Sequence, residues 1–138
     1  MVAAAKAISW VCYVGTVSAT GHPHVSVIAP GFTKSTVWAG TRRSTKKLAN
    51  LTQNPRTSLY WPVDTGSGPG ELTMRGVSAI HTDDDSKRNT WDNVDFGYDL
   101  AAFWKSPDNP DLVFLEVAIE RCSLLGPDFV RKVWKPIV

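Results

Sequence analysis

With 138 residues the chain has the length of one domain, 1–138, large enough for a real core yet in the range where a partner subunit often completes it. A formal net charge of +2, from 15 basic and 13 acidic residues, excludes a generally basic, nucleic-acid-coating protein, so any basic character has to be local. No segment approaches about 20 uninterrupted apolar residues, which predicts a soluble cytoplasmic protein with no membrane partner.

The Ala-rich start of the chain reads as a short helix ending near Ser9. Val11 to Ala19 is β-branched and apolar and ends at a Thr20-Gly21 turn; His24 to Ala29 forms a second strand before Pro30-Gly31, and Thr36 to Thr41 a third. A short helix follows, marked by Leu48, Leu51 and the Asn54-Pro55 stop, with Ser44 as its N-cap. Its amino end is crowded by Arg42, Arg43, Lys46 and Lys47. That end of a helix prefers negative charge, by about 0.3 to 1 kcal/mol per charge, so four cations repel both the dipole and one another. A bound phosphate would remove the conflict, because free N–H groups, hydroxyls and cations would all point at it; a solvated basic turn is the plainer reading.

Thr57 to Val63 is a fourth strand. Asp64 to Gly70, with three glycines and a proline, is a hairpin loop, after which Glu71 to Thr82 resumes a strand through Leu72, Met74, Val77 and Ile80. Gly76 interrupts that strand and predicts a bulge or a close backbone approach. Asp83, Asp84, Asp85 and Ser86 start a second helix with carboxylates where the dipole wants them, a capping pattern rather than a metal cluster. Helix or coil continues through Trp91, Phe96, Leu100, Phe103 and Trp104; Ser106 to Pro110 breaks it, and Asp111 to Arg121 closes with an apolar strand. Strands joined by short turns, with helices only between strands 3 and 4 and before the last strand, predict a mainly β chain folded as a small antiparallel barrel. There is no GxGxxG and no alternation of strands with long helices, so a doubly wound fold does not fit.

Chemical motifs are few. Cys12 and Cys122 lack a CxxC partner or nearby histidines, which excludes a zinc site; both lie in apolar runs and read as core residues, with their pairing left open. No GxSxG or HExxH occurs, so neither a metal nor a catalytic residue is assigned. An enzyme with no evident nucleophile or acid–base pair must let a cofactor carry the reaction. His22 reads as a turn-side polar residue, whereas His24 precedes a strand that could face a ligand. Among the aromatics Trp38, Trp61, Trp91 and Trp104, packing competes with ring stacking; Tyr60 and Trp61 are the best stacking candidates because they follow the cationic helix.

Taken in order, Gly21-His22-Pro23-His24-Val25, Trp38-Ala39-Gly40-Thr41, Ser44-Thr45-Lys46, Asn50-Leu51, Asn54-Pro55-Arg56, Gly76, Asp83 to Asp85 and Asn109-Pro110-Asp111-Leu112-Val113-Phe114-Leu115-Glu116-Val117 resemble the pyridoxamine 5'-phosphate oxidase-like split β-barrel superfamily, in its general stress protein branch. The resemblance spans about residues 10 to 122. It implies a six-stranded antiparallel split barrel forming a homodimer, with FMN, or alternatively the deazaflavin coenzyme F420, bound along the subunit interface. It places the cofactor phosphate on Arg42, Arg43, Ser44, Lys46 and Lys47, the polar ring edge near Thr41, and the ring itself along Val27 and Ile28. His24 stands near where many flavin-binding members carry a phosphate-contacting arginine, and Trp61 is the aromatic neighbour; Lys34 or Arg56 would serve the acidic tail of the deazaflavin. Oxidases of vitamin B6 have a glutamine shortly before the Gly76 position and a carboxy-terminal Trp, Arg and His set. This chain has Glu71 and Leu72 in the first region and does not reproduce the second in Phe129 to Pro136, so its reaction is not that one. The implied activity is hydride transfer between FMN or F420 and a small organic substrate. A non-catalytic flavin or haem binder is the alternative, and a nucleic-acid module is disfavoured by the near-balanced charge.

Overall fold

A computed structural model describes residues 1–136. In chain order these form α1 (Val2–Ile8), β1 (Cys12–Val17), β2 (Pro23–Ile28), β3 (Pro30–Phe32), β4 (Thr36–Arg42), α2 (Lys46–Gln53), β5 (Arg56–Asp64), β6 (Pro69–His81), α3 (Asp84–Asn93), β7 (Asp95–Phe96), α4 (Leu100–Trp104), β8 (Leu112–Leu125) and β9 (Arg131–Trp134). Six of the strands are long, matching the six-stranded expectation; β3, β7 and β9 are short additions of 3, 2 and 4 residues. No described helix is long and apolar enough to cross a membrane.

All pairings are antiparallel, in the order β2-β1-β5-β6-β8-β4-β3-β7, with β9 added to the far half of β8. Only Ala29 separates β2 from β3, yet they lie near opposite ends of this order: Ile28 pairs with Cys12 and Pro30 with Ala39. The sheet therefore curls until its ends meet at Ala29. Proline opens β3, at the first position of a strand, where this residue is tolerated.

Inward positions alternate along the long strands, and Val14, Leu59, Trp61, Leu72, Met74, Leu115 and Val117 fill the barrel. A second apolar cluster sits outside it. Leu112 and Phe114, from the opposite face of β8, pack there with Leu100 of α4 and with Trp38, Trp91, Phe96, Tyr98 and Trp104. This two-sided burial explains the unbroken Leu112-Val113-Phe114-Leu115 run, which serves two cores rather than one. It also divides the stretch expected to be helix or coil into α3, β7 and α4, because its aromatic residues have to tile that outer face. The strand β9 had no counterpart among the expected elements; it pairs Cys122 with Trp134 at the end of β8 that β4 does not reach.

At Gly76 both expectations are met. Register slips between Arg75 and Gly76, which face Arg121 and Ile119, so Glu120 is the extra residue of a bulge in β8. A methyl group added at Gly76 would lie 2.8 Å from the Ala118 carbonyl carbon and closer still to its oxygen. Cys12 and Cys122 are free and buried, and desolvation pushes the Cys12 thiol up to about 12.

Gly76→Ala is expected to lower unfolding stability by about 1 to 3 kcal/mol or more, read as a fall in the urea midpoint. Gly97→Ala, which meets nothing within 4 Å, should stay within about 1 kcal/mol of wild type.

Candidate functional site

β4 ends at Arg42, the turn after it runs through Arg43 and Ser44, and the N-cap of α2 is Thr45 rather than the expected Ser44. Thr45 has the extended backbone of a cap but makes no capping bond with its side chain. Its Oγ1 is buried with no partner among the described residues. The first-turn N–H groups of Lys46, Lys47 and Leu48 have no acceptor within the helix, and no acidic residue stands there. Arg42, Arg43 and Lys46 are exposed, Lys47 is buried, and none of the four forms an ion pair among the described residues. Burial holds the Lys47 ammonium below the ordinary lysine value. Arg43 is tethered: its backbone N–H donates to the Asp111 carbonyl at 2.8 Å and its Nε to the Pro110 carbonyl at 3.1 Å. A cleft of about 290 Å³ opens beside this turn, bordered by Arg43, Ser44, Thr45 and Leu48 on one side and Ile80 and Thr82 on the other.

The start of α3 is built in the opposite way, with a capping carboxylate and two more acidic residues in its first turn. Asp83 accepts from the Ser86 N–H at 3.0 Å, and those bonds hold its carboxyl below the usual range.

Helix α2 lies against β1 and β2, where Asn50 Nδ2 donates to Thr16 Oγ1 at 3.0 Å. Along β2 the side chains alternate. Val25 and Val27 are exposed, His24 and Ser26 are half-buried, and Ile28 belongs to the barrel core. Thus Val27 and Ile28, assigned together from sequence, face opposite ways. Ser26 Oγ is a second buried hydroxyl without a partner among the described residues, and it was not singled out from sequence. Thr41 is buried at the end of β4. Trp61 lies wholly inside the barrel, while its neighbour Tyr60 faces outward, since one step along a strand reverses the face. Tyr60 is therefore the outward aromatic of β5, and the assignment to Trp61 gives way to it.

Val25, Val27, Tyr13 and Tyr60 form an exposed apolar ribbon across β2, β1 and β5, with Tyr13 paired to both Val27 and Tyr60. The Tyr13 and Tyr60 rings are 6.5 Å apart. Beside them Gly15, lacking a side chain, floors a groove of about 590 Å³ walled by His24, Val25, Ser58, Arg56 and Arg75. Arg56 is loosely paired with Glu120 at 3.9 Å. His22 is exposed in the β1–β2 turn, its N–H bonded to Ser18 Oγ.

One polar cluster had no local signal in the sequence. His81 Nε2 and Glu116 Oε2 are 2.7 Å apart, and the Trp38 ring lies 5.1 Å from the imidazole. The three residues come from neighbouring strands β6, β8 and β4 and meet only through register.

The family model for pyridoxamine 5'-phosphate oxidase matches residues 2–126. No curated protein matches the chain. Among solved structures, a protein related to general stress protein 26 of Bacillus subtilis, from Clostridium acetobutylicum, superposes with a TM-score of 0.76 at 21% identity, over 97% of this chain and 92% of that one. General stress protein 26 of Bacillus anthracis gives 0.70 at 16% identity, over 95% of each chain. The haem storage protein HutZ of Vibrio cholerae gives 0.65 at 16% identity, over 86% of this chain and 87% of that one. At such identities the structural likeness is one of fold. A curled antiparallel sheet seamed at Ala29, matched by the family model over nearly all its length, makes this chain a member of the pyridoxamine 5'-phosphate oxidase family, with the split barrel that also carries the general stress proteins.

Proposed function

We propose that the protein is a flavin- or deazaflavin-dependent oxidoreductase, taking FMN or coenzyme F420 at a homodimer interface and acting on a small organic substrate. One observation carries the reading: four cations and a buried Thr45 hydroxyl surround the amino end of α2, with no hydroxyl partner and no answering carboxylate among the described residues. The phosphate of either cofactor supplies the charge and acceptors that this set lacks, and Arg43 offers it planar donors. The exposed ribbon of Val25, Val27, Tyr13 and Tyr60 suits a flat ring on one side and a second copy of the chain on the other, since both remove apolar surface from water. Bound there, the cofactor supplies hydride transfer, and the chain's residues bind, orient and exclude water. Vitamin B6 is not the substrate in this reading, because Arg131 of the tail is spent on Glu71 at 3.1 Å and on Ser123.

A second reading, haem binding without turnover, is favoured by His24, which stands half-buried at the groove between the ribbon and the cations Arg56 and Arg75. Haemin would find there an imidazole and two partners for its propionates.

Titration with FMN and with F420 should give a bound spectrum for one of them. Arg43→Ala with Lys46→Ala should weaken that binding by about 3 kcal/mol or more, a hundredfold, since each charge-assisted bond contributes about 1.5 to 3 kcal/mol; unchanged affinity would exclude the phosphate assignment. Reduced cofactor mixed with quinones and enones should be oxidised faster with protein than without. A haemin Soret band that shifts in wild type but not in His24→Ala, with no flavin binding, would favour the second reading.

Lys47 gives a test without ligand. Its folded pKa lies below the ordinary 10.5 because of desolvation, so the destabilising penalty is full at pH below the folded value and fades as pH rises from there to 10.5. Lys47→Met should accordingly raise Tm of the ligand-free protein at pH 7, and the gap should narrow toward pH 10. A gap that widens with pH would contradict the assigned cause.

A further inference from the structure

Lys87 is a buried charge that the anion site does not use. It projects from α3 at 2% exposure, with one partner among the described residues, the Asn109 carbonyl oxygen at 2.8 Å, and no carboxylate within ion-pair distance. Methionine, of similar length, would fill the space without desolvating an ammonium. What the ammonium holds is the loop between α4 and β8. That loop is also fixed by Arg88 Nη2 donating to Asp108 Oδ1 at 2.9 Å, by Asn109 Nδ2 donating to the Trp104 carbonyl at 3.0 Å, and by the Asp111 N–H donating to Asn109 Oδ1 at 3.0 Å. The next two carbonyls, of Pro110 and Asp111, are the ones that accept from Arg43 Nε and from its backbone N–H. With Nε so engaged, both Nη groups of Arg43 are left without a partner among the described residues.

We propose that Lys87 is a positioning residue for the anion site: it pins the Asn109 carbonyl, and through Pro110 and Asp111 it sets the rotamer of Arg43 before any ligand arrives. The proposal rests on reading the α2 amino end as the cofactor phosphate site. An arginine is rotamer-rich, and binding that has to freeze it loses affinity; a guanidinium already anchored at Nε loses less. A charged donor suits this task because its bond to a carbonyl is stronger than a neutral one.

The test is a double-mutant cycle with FMN and inorganic phosphate as probes. Lys87→Met should weaken both about tenfold when Arg43 is present and less than twofold in the Arg43→Ala background, the non-additivity expected of residues acting through one another. Equal losses in both backgrounds, or none in either, overturn it. Without ligand, the Arg43 Nε–H should exchange slowly in wild type and fast in Lys87→Met by ¹⁵N NMR; unchanged protection also overturns it. Should Lys87→Met not fold, Asn109→Ala, which cuts the loop's own side-chain bonds, must show the same background dependence, and equal losses there count against the proposal. Failure of wild type to bind any of FMN, inorganic phosphate and, as a third probe, F420 sinks the cofactor reading and this proposal together. Binding that is indifferent to Lys87 sinks this proposal alone.

Discussion

A strand that pairs with β1 on one side of Ala29 and with β4 on the other has to be the seam of a closed sheet. Everything else in the molecule is placed by that closure. It turns Val14, Leu59, Trp61 and Leu115 into one interior, and it makes a second, separate use of the far face of β8. Curvature this tight needs relief, found where Glu120 bulges out opposite Gly76 and the two backbones approach too closely for any side chain. The exposed ribbon on β2, β1 and β5 is the outward half of the same alternation that fills the barrel.

Closure also brings α2 against β1 and β2, so that the helix with the wrong charge at its start lies beside the strand that carries His24 and Ser26. The hydroxyls of Thr45, at the cap of α2, and of Ser26, on β2, are buried without partners among the described residues. Buried polar groups in native proteins are nearly always satisfied, and Trp61 Nε1 inside the barrel is a third such group without a partner among the described residues. The opposite treatment of α3, whose first turn is capped by Asp83 and carries Asp84 and Asp85, shows that the charge pattern at α2 is local.

The outer cluster ties the two helix starts together. α3 packs on β8 and grips the loop before it through Lys87 and Arg88, and that loop hands two carbonyls to Arg43. Side chains on α3 thus share one loop with Arg43, which lies beside the amino end of α2. The same sheet holds the partly exposed His81–Glu116 pair, with the imidazole tilted against the Trp38 ring.

The succession of strands along the chain, the hairpin at Gly66 to Gly68, the bulge at Gly76 and the carboxylate cap of α3 were all legible in the residues, because each depends on contacts within a few positions or on a backbone freedom that only glycine has. The cationic start of α2 was legible for the same reason: a helix dipole and its neighbours are local. Which side chains face each other was not. Trp61 and Ile28 read as surface contacts until strand register turned them inward and left Tyr60 and Val27 outside. The two-sided burial of β8 is decided by the whole sheet, and the Lys87–Asn109 bond and the His81–Glu116 pair join residues 22 and 35 positions apart. Such partners are selected by closure of the sheet, whose energy is shared by the whole barrel, so no short stretch of sequence carries their signature.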